Sequence, residues 1–184
     1  MRIISGTARG TKLFTLEGEH TRPTLDRVKE AFFNIIQNEI EDSVVLDLFS
    51  GSGAIGLEFA SRGAKKVYLN DNSKEAFEII KQNINKTHLS TKVELYNMDF
   101  LKLIQNIKEN KFDIVYLDPP YKTNYIILAL NELLKNKKIT EESLIIIETD
   151  EEKRVIEQLE QQRSFEITDK RKYGRAYIIF LRKV

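Results

Sequence analysis

Asp118-Pro119-Pro120-Tyr121 gathers a carboxylate, two ring-constrained carbonyls and an aromatic face into four residues. Proline has no N–H and a fixed φ, so neither proline can sit within a central strand. The strand before them must stop there, and the two rings fix where the carbonyls point. An acid, rigid acceptors and a flat ring then project together from a sheet edge. The bland alternative is a rigid loop with an acidic cap.

A second candidate lies upstream. Val44-Val45-Leu46-Asp47-Leu48-Phe49 runs into Ser50-Gly51-Ser52-Gly53-Ala54-Ile55-Gly56, the order of a strand, a glycine turn and a helix. Glycines there let the backbone approach a ligand, and a helix N-terminus offers free N–H groups to an anion. The spacing Gly51-x-Gly53-x-x-Gly56 fits a dinucleotide fingerprint, and alone it marks either nicotinamide binding or only a tight turn. Three acids add weight. Asp47 precedes the turn and can orient the loop or a ligand amino group. Asp71 ends the second strand, where an acid can accept from ribose hydroxyls. Asp99 ends the third, where it can accept from an adenine amino group. Phe49, Ser52, Asn72 and Phe100 flank these positions and complete the cofactor-binding set. Each acid alone reads as a solvated strand-end carboxylate or a cap. Three on successive strand ends point to a ligand at the carboxyl edge of an open α/β sheet.

The elements that must position these residues are legible as periodicities. Residues 44–49, 66–71, 92–98, 112–118 and 144–149 are short apolar runs, as in parallel strands buried on both faces. Helical segments lie between them, near 54–62, 73–87, 100–109, 124–136 and 151–162. Alternation of this kind predicts an α/β fold with an open, mostly parallel sheet. Residues 164–172 and 176–182 are separated only by Tyr173-Gly174-Arg175, so they form a hairpin with at least one antiparallel strand. At the N-terminus, 2–5 and 11–14 read as two short strands around Gly6 and Gly10. Thr24 is placed to cap a helix carrying Leu25, Val28, Phe32, Ile35 and Ile36 at helical spacing.

The 184 residues suit one domain, with 1–23 as an N-terminal extension and 24–184 as the core. With no cysteine, disulfides, thiolate metal sites and cysteine nucleophiles are excluded. His20 and His88 have no partner at a recognisable spacing, so no metal is expected. No run is long enough for a membrane span, and the N-terminus lacks a signal-peptide pattern, so a cytoplasmic location is expected. The net charge is only +1, but its distribution is uneven. Residues 1–29 hold six Lys/Arg against three acids, and 170–184 hold six and no acid. Seven of the ten arginines fall in these ends. Arginine suits bidentate phosphate contacts, so Arg9, Arg22, Arg27, Lys172 and Arg175 are candidates for a polyanion. For each, an exposed cation touching nothing is the plain alternative.

The glycine loop followed by Asp118-Pro119-Pro120-Tyr121 resembles class I S-adenosylmethionine methyltransferases that act on amino groups of bases. The likeness extends further. Residues 1–6 (Met-Arg-Ile-Ile-Ser-Gly), Arg9-Gly10, Thr21-Arg22-Pro23-Thr24-x-x-Arg27-Val28-x-Glu30, Phe33-Asn34-Ile35 and Lys172-Tyr173-Gly174 resemble the bacterial 16S rRNA (guanine-966-N2) methyltransferases. It covers essentially the whole chain. One departure is Asn70-Asp71, where that family more often has glutamate; aspartate is shorter but keeps the acceptor.

The resemblance implies a Rossmann-like class I methyltransferase fold with a seven-stranded sheet and a small N-terminal β-hairpin. It implies S-adenosylmethionine as methyl donor and S-adenosylhomocysteine as product. It also implies 16S rRNA, within the assembled small ribosomal subunit, as partner; no membrane contact is expected, and the sequence shows no obligate protein partner. Asp118 and a Pro119-Pro120 carbonyl would accept the guanine amino protons, and Tyr121 would support a base held out of its stack. Two other readings stay open. The same chemistry could serve another RNA or DNA base, such as adenine N6, though the chain leaves little room for a target-recognition insertion. A catalytically silent RNA-binding module would show erosion of the cofactor or tetrapeptide residues, and none is visible.

Overall fold

The computed structural model describes residues 1–16, 23–120 and 122–184; the side chains of 23–25 and 27 lie outside that description. The chain falls into two compact units, Met1–Asp99 and Phe100–Val184. The seven-stranded sheet reads β3-β2-β1 across the first and β4-β5-β7-β6 across the second.

In the first unit, β1 (Val44–Asp47), β2 (Lys66–Asn70) and β3 (Val93–Tyr96) are parallel. Val45, Leu46, Val67 and Leu69 are fully buried, as expected of strands covered on both faces. The helices α1 (Pro23–Ile35), α2 (Ala54–Ser61) and α3 (Lys74–Thr87) complete it. Helix α3 starts where the Ser73 hydroxyl accepts the Ala76 N–H (3.3 Å) and ends at His88 in the left-handed region. Helix α1 begins with Pro23 at its first position, so Thr24 lies inside it rather than capping it.

The buried face of α1 also differs from the expected one. Lys29, Phe32, Phe33 and Ile36 point inward, whereas Ile35 is 43% exposed. The rings of Phe32 and Phe33 pack on Phe59 of α2, at centroid distances of 6.3 and 4.7 Å. Burial of such rings contributes about 1.5–3 kcal/mol each. The stripe is nevertheless interrupted by a lysine. Lys29 is 4% exposed, and its ammonium lies 3.1 Å from the carboxylate of Glu58, which is fully buried. Arg62 reaches the same carboxylate at 2.8 Å while its guanidinium sits 4.7 Å above the Phe33 ring. The backbone N–H groups of Ile4 and Ser5 complete the set, at 2.8 and 3.0 Å.

This arrangement explains a correction at the N-terminus. Residues 2–5 and 11–14 do run antiparallel, with Ile3 N–H to Thr11 O at 3.0 Å and Leu13 N–H to Met1 O at 3.0 Å. Only Arg2 and Lys12 form a bridge, and no two-stranded hairpin results. Ile4 and Ser5 spend their N–H groups on Glu58 instead of a ladder. The arm then turns at Gly6 (φ 82°) against the end of α2, where a Cβ would lie 1.8 Å from the Ser61 carbonyl oxygen.

The second unit comprises α4 (Phe100–Asn106), β4 (Ile114–Leu117), α5 (Tyr125–Lys135), β5 (Leu144–Thr149), α6 (Glu152–Gln162), β6 (Phe165–Tyr173) and β7 (Ala176–Lys183). Strands β4 and β5 are parallel, and β7 joins β5 antiparallel. Strand β6 returns on β7 through Gly174-Arg175 and forms one edge of the sheet. Lys170, Arg171 and Lys172 are successive exposed residues of this strand. No helix of the described residues is long and apolar enough to cross a membrane.

Removing one member of a buried ion pair leaves the other charge uncompensated, at a cost of about 3–5 kcal/mol. Glu58→Gln is therefore expected to lower unfolding stability by about that amount in a urea titration. A midpoint equal to that of the parent protein would contradict this role for Glu58.

Candidate active site

The first unit builds a braced loop at the carboxyl ends of its strands. Gly51 and Gly53 adopt φ of 55° and 79°. The Ser50 hydroxyl donates to Asp47 O (2.8 Å) and accepts the Asn70 N–H (3.1 Å), while Ser50 N–H donates to Asn70 O (2.9 Å). Asn70 is 1% exposed. Its amide donates to Leu48 O (3.2 Å) and Met98 O (3.1 Å) and accepts from Met98 N–H (3.3 Å). One side chain thus fixes the segments leaving β1, β2 and β3. The sequence marks Asn70 only as part of a departure from the family pattern; an amide at the buried end of an apolar strand is the signal of its bracing role.

Asp71 follows β2 instead of ending it. Its carboxylate accepts the N–H groups of Gly51 and Ser73, both at 2.9 Å, so it holds the glycine loop and the start of α3 together. Asp99 is half-buried and lies beyond the end of β3 at Tyr96. Phe49 is half-buried and Asn72 exposed. Ser52 is buried, and its carbonyl accepts from the Asn83 amide (2.9 Å). Asn83 also pairs with both backbone groups of Phe14, at 2.8 and 2.9 Å, and so connects the N-terminal arm to the glycine loop. The sequence does not single it out, though it stands as a polar residue on the buried stripe of α3.

Asp47 is the most constrained acid. It is 1% exposed, and Oδ2 accepts the Gly56 N–H at 3.0 Å. A Cβ on Gly56 would lie 2.0 Å from Leu69 Cδ2, so no side chain fits between helix and strand there. Asp47 Oδ1 is buried and meets no hydrogen-bond partner among the described residues. A ligand bearing a donor, such as the amino group of a cofactor, fits that orphaned oxygen. Burial pushes the carboxyl up to about 7, against the opposing bond from Gly56; the charge of Asp71 adds to the rise.

A carboxyl raised on folding stabilises the native state below its unfolded value near 3.8. That stabilisation is lost as pH rises through the folded value of about 7. The melting temperature of the ligand-free protein should therefore fall as pH climbs from 3.8 to about 7 and level off above that. Asp47→Asn, which can still accept from Gly56, should flatten that slope. Identical slopes in the two proteins would contradict the assignment.

In the second unit, β4 ends at Leu117 and Asp118 follows, half-buried. Pro119 is buried and Pro120 exposed. The Thr123 hydroxyl donates to Pro120 O (2.8 Å). Of the two proline carbonyls, the one on Pro119 is thus the acceptor without a described donor. The chain beyond is held from α6. Glu151 accepts the Lys122 N–H (3.1 Å), and Arg154 donates to Thr123 O (2.9 Å) and pairs with Glu151. Lys122 adopts φ 61°, a strained value for a residue with a side chain. The Phe100 ring, at the start of α4, lies 4.9 Å from that of Tyr125. Tyr121 lies outside the described residues.

The five basic candidates are not gathered by any described contact. Arg9 is exposed on the first unit's arm, and Lys172 and Arg175 are exposed on the β6–β7 hairpin. The Lys172 ammonium sits 5.3 Å from the Tyr177 ring centre. Arg22 and the side chain of Arg27 lie outside the described residues. Among the described residues, no group of three or more His, Asp or Glu could hold a metal ion.

The model of the family described as Conserved hypothetical protein 95 matches residues 1–182. The chain belongs to this family. Ribosomal RNA small subunit methyltransferase D of Haemophilus influenzae is 41% identical over 160 residues, covering 85% of this chain and 82% of that protein. The protein of the same name from Escherichia coli is 33% identical over 152 residues, covering 83% and 76%. The solved structure of the yhhF protein of Escherichia coli aligns over 100% of this chain and 97% of its own, with a TM-score of 0.82 at 27% identity. Family members of this kind carry the Rossmann-like α/β methyltransferase fold, and this chain has it.

Proposed function

We propose that this protein transfers a methyl group from S-adenosylmethionine to the exocyclic N2 of a guanine in 16S rRNA of the small ribosomal subunit. The observation that carries the reading is the strand end Asp118-Pro119-Pro120, with its directed acceptors, in a chain similar over most of its length to proteins named small-subunit rRNA methyltransferases. The 184 residues are read as one methyltransferase domain in which the N-terminal extension contacts RNA.

S-adenosylmethionine supplies an electrophilic methyl on a sulfonium and leaves as S-adenosylhomocysteine. The braced loop holds it. Asp71 keeps lone pairs for ribose hydroxyls, Asp99 accepts from the adenine amino group, and Asp47 Oδ1 takes a further donor. Gly51, Gly53 and Gly56 keep side chains out of its way, with Phe49, Ser52, Asn72 and Phe100 around it. No metal is required.

The guanine amino nitrogen is a poor nucleophile because its lone pair is delocalised into the ring. Asp118 and the Pro119 carbonyl accept its two N–H bonds and localise that pair toward the methyl. As the N–C bond forms and the S–C bond breaks, positive charge grows on nitrogen. The same acceptors would stabilise it, and the surplus proton would pass to water, through the Asp118 carboxylate or directly. Their fixed placement supplies much of the rate. The Tyr121 ring supports the base outside its stack, and Arg9, Arg22, Arg27, Lys172 and Arg175 bind phosphates.

Asp118→Ala is expected to lose turnover by at least about a hundredfold while binding S-adenosylmethionine normally by calorimetry. Full activity in this variant would sink the role of Asp118. Labelled cofactor offered to small subunits, naked rRNA and DNA should mark a guanine in small-subunit rRNA. Label on adenine, or on DNA alone, would overturn the substrate assignment.

A further inference from the structure

One half-buried carboxylate in the second unit has no part in the reaction so far. Strands β4 and β5 run in register, with Tyr116 opposite Ile146 and Leu117 opposite Ile147. Beyond that last pair, Asp118 is the first residue after β4 and Glu148 the next residue of β5. Residues two apart on a strand share a face, so Glu148 lies on the same side as Ile146 and its partner Tyr116, and Asp118 leaves β4 two residues after Tyr116. The phenol of Tyr116, which is buried, donates to Glu148 Oε2. On its other flank Glu148 stands opposite Ile178 of β7, which is buried and apolar. Glu148 is half-buried, and burial raises its carboxyl above the usual range, with the tyrosine bond opposing. Holding a carboxylate in such surroundings is unfavourable unless its oxygens meet donors. Tyr116 serves one oxygen; the other meets no donor among the described residues and, on a half-buried residue, is open to solvent or to a ligand.

Guanine presents two neighbouring donors on its Watson–Crick edge, the N1–H and the amino group. Adenine and 2-aminopurine carry a lone pair at N1 instead. A carboxylate beside the amino-group acceptor therefore accepts from guanine and repels the other two. We propose that Glu148 is a specificity-determining residue whose Oε1 accepts the N1–H of the target guanine, beside the amino group held by Asp118. This rests on the guanine reading above and adds how that base is told from others. Tyr116 decides the division of labour, since it commits Oε2 and leaves Oε1 to the substrate.

The test uses the full chain and small subunits reconstituted around rRNA carrying guanine or 2-aminopurine at the methylated position. The analogue keeps the 2-amino group and lacks the N1 proton. The parent protein is expected to favour guanine by about a hundredfold or more in kcat/KM, as sites built around a hydrogen bond do. Glu148→Gln can keep the Tyr116 bond through its amide oxygen and turn its NH2 toward the base. It should narrow the preference by about tenfold or more and raise the absolute rate on 2-aminopurine. Its affinity for S-adenosylmethionine should not change. An equal fall on both bases, with the ratio preserved, would overturn the proposal and leave Glu148 a packing partner of Tyr116. A parent protein that methylates adenine instead of guanine would refute the reading beneath it, and Glu148 as guanine reader with it.

Discussion

The first unit depends on one carboxylate. Glu58 has no exposed surface, and a lone charge there would be prohibitive. Its oxygens are met by Lys29 from α1, Arg62 from the end of α2, and two backbone N–H groups of the N-terminal arm. Three segments distant in sequence are thus tied at a point that none could reach without the others. Burial lowers the Lys29 pKa, and the charge of Glu58 opposes that drop, so each group makes the other tolerable. Helix α2, which carries the carboxylate, begins at the glycine loop. The helix that receives the arm is therefore also the one that follows the glycine turn.

The order of strands and helices was legible because it rests on local patterns. Apolar runs of strand length, glycine turns and a two-residue hairpin turn each leave a mark within a few residues. Helix α1 shows where that reasoning ends. Its stripe was read through Ile35, whereas the inward face includes Lys29 and Phe33. A lysine counts against burial in any periodicity, and only its distant partner Glu58 reverses this. The arm fails for the same reason. Its sequence suits a hairpin, but the donors of Ile4 and Ser5 find a carboxylate more than fifty residues away.

At the candidate site, the glycines, Asp47, Asp71 and the double proline could be singled out by residue type. Their supports could not. Asn70 and Asn83 act through backbone groups of segments far away in sequence, and an amide gives no sign of which carbonyl it will meet. Thr123, Glu151 and Arg154 hold the chain after the prolines in the same way. Asp71 carries a double duty that its position alone did not reveal. The acid assigned to a ligand also fastens the loop to the next helix.

Strand β6 forms an edge of the sheet, and an edge leaves a row of backbone donors and acceptors unpaired. Such a row can template a further strand from another molecule. Lys170, Arg171 and Lys172 stand in succession on that edge, the first paired with Glu152 and the second with Asp169, so a second copy docking there would have to displace or desolvate these charged side chains. The basic stretch therefore protects the protein from edge-to-edge aggregation, and a substitution that neutralised it would trade away colloidal stability as well as positive charge.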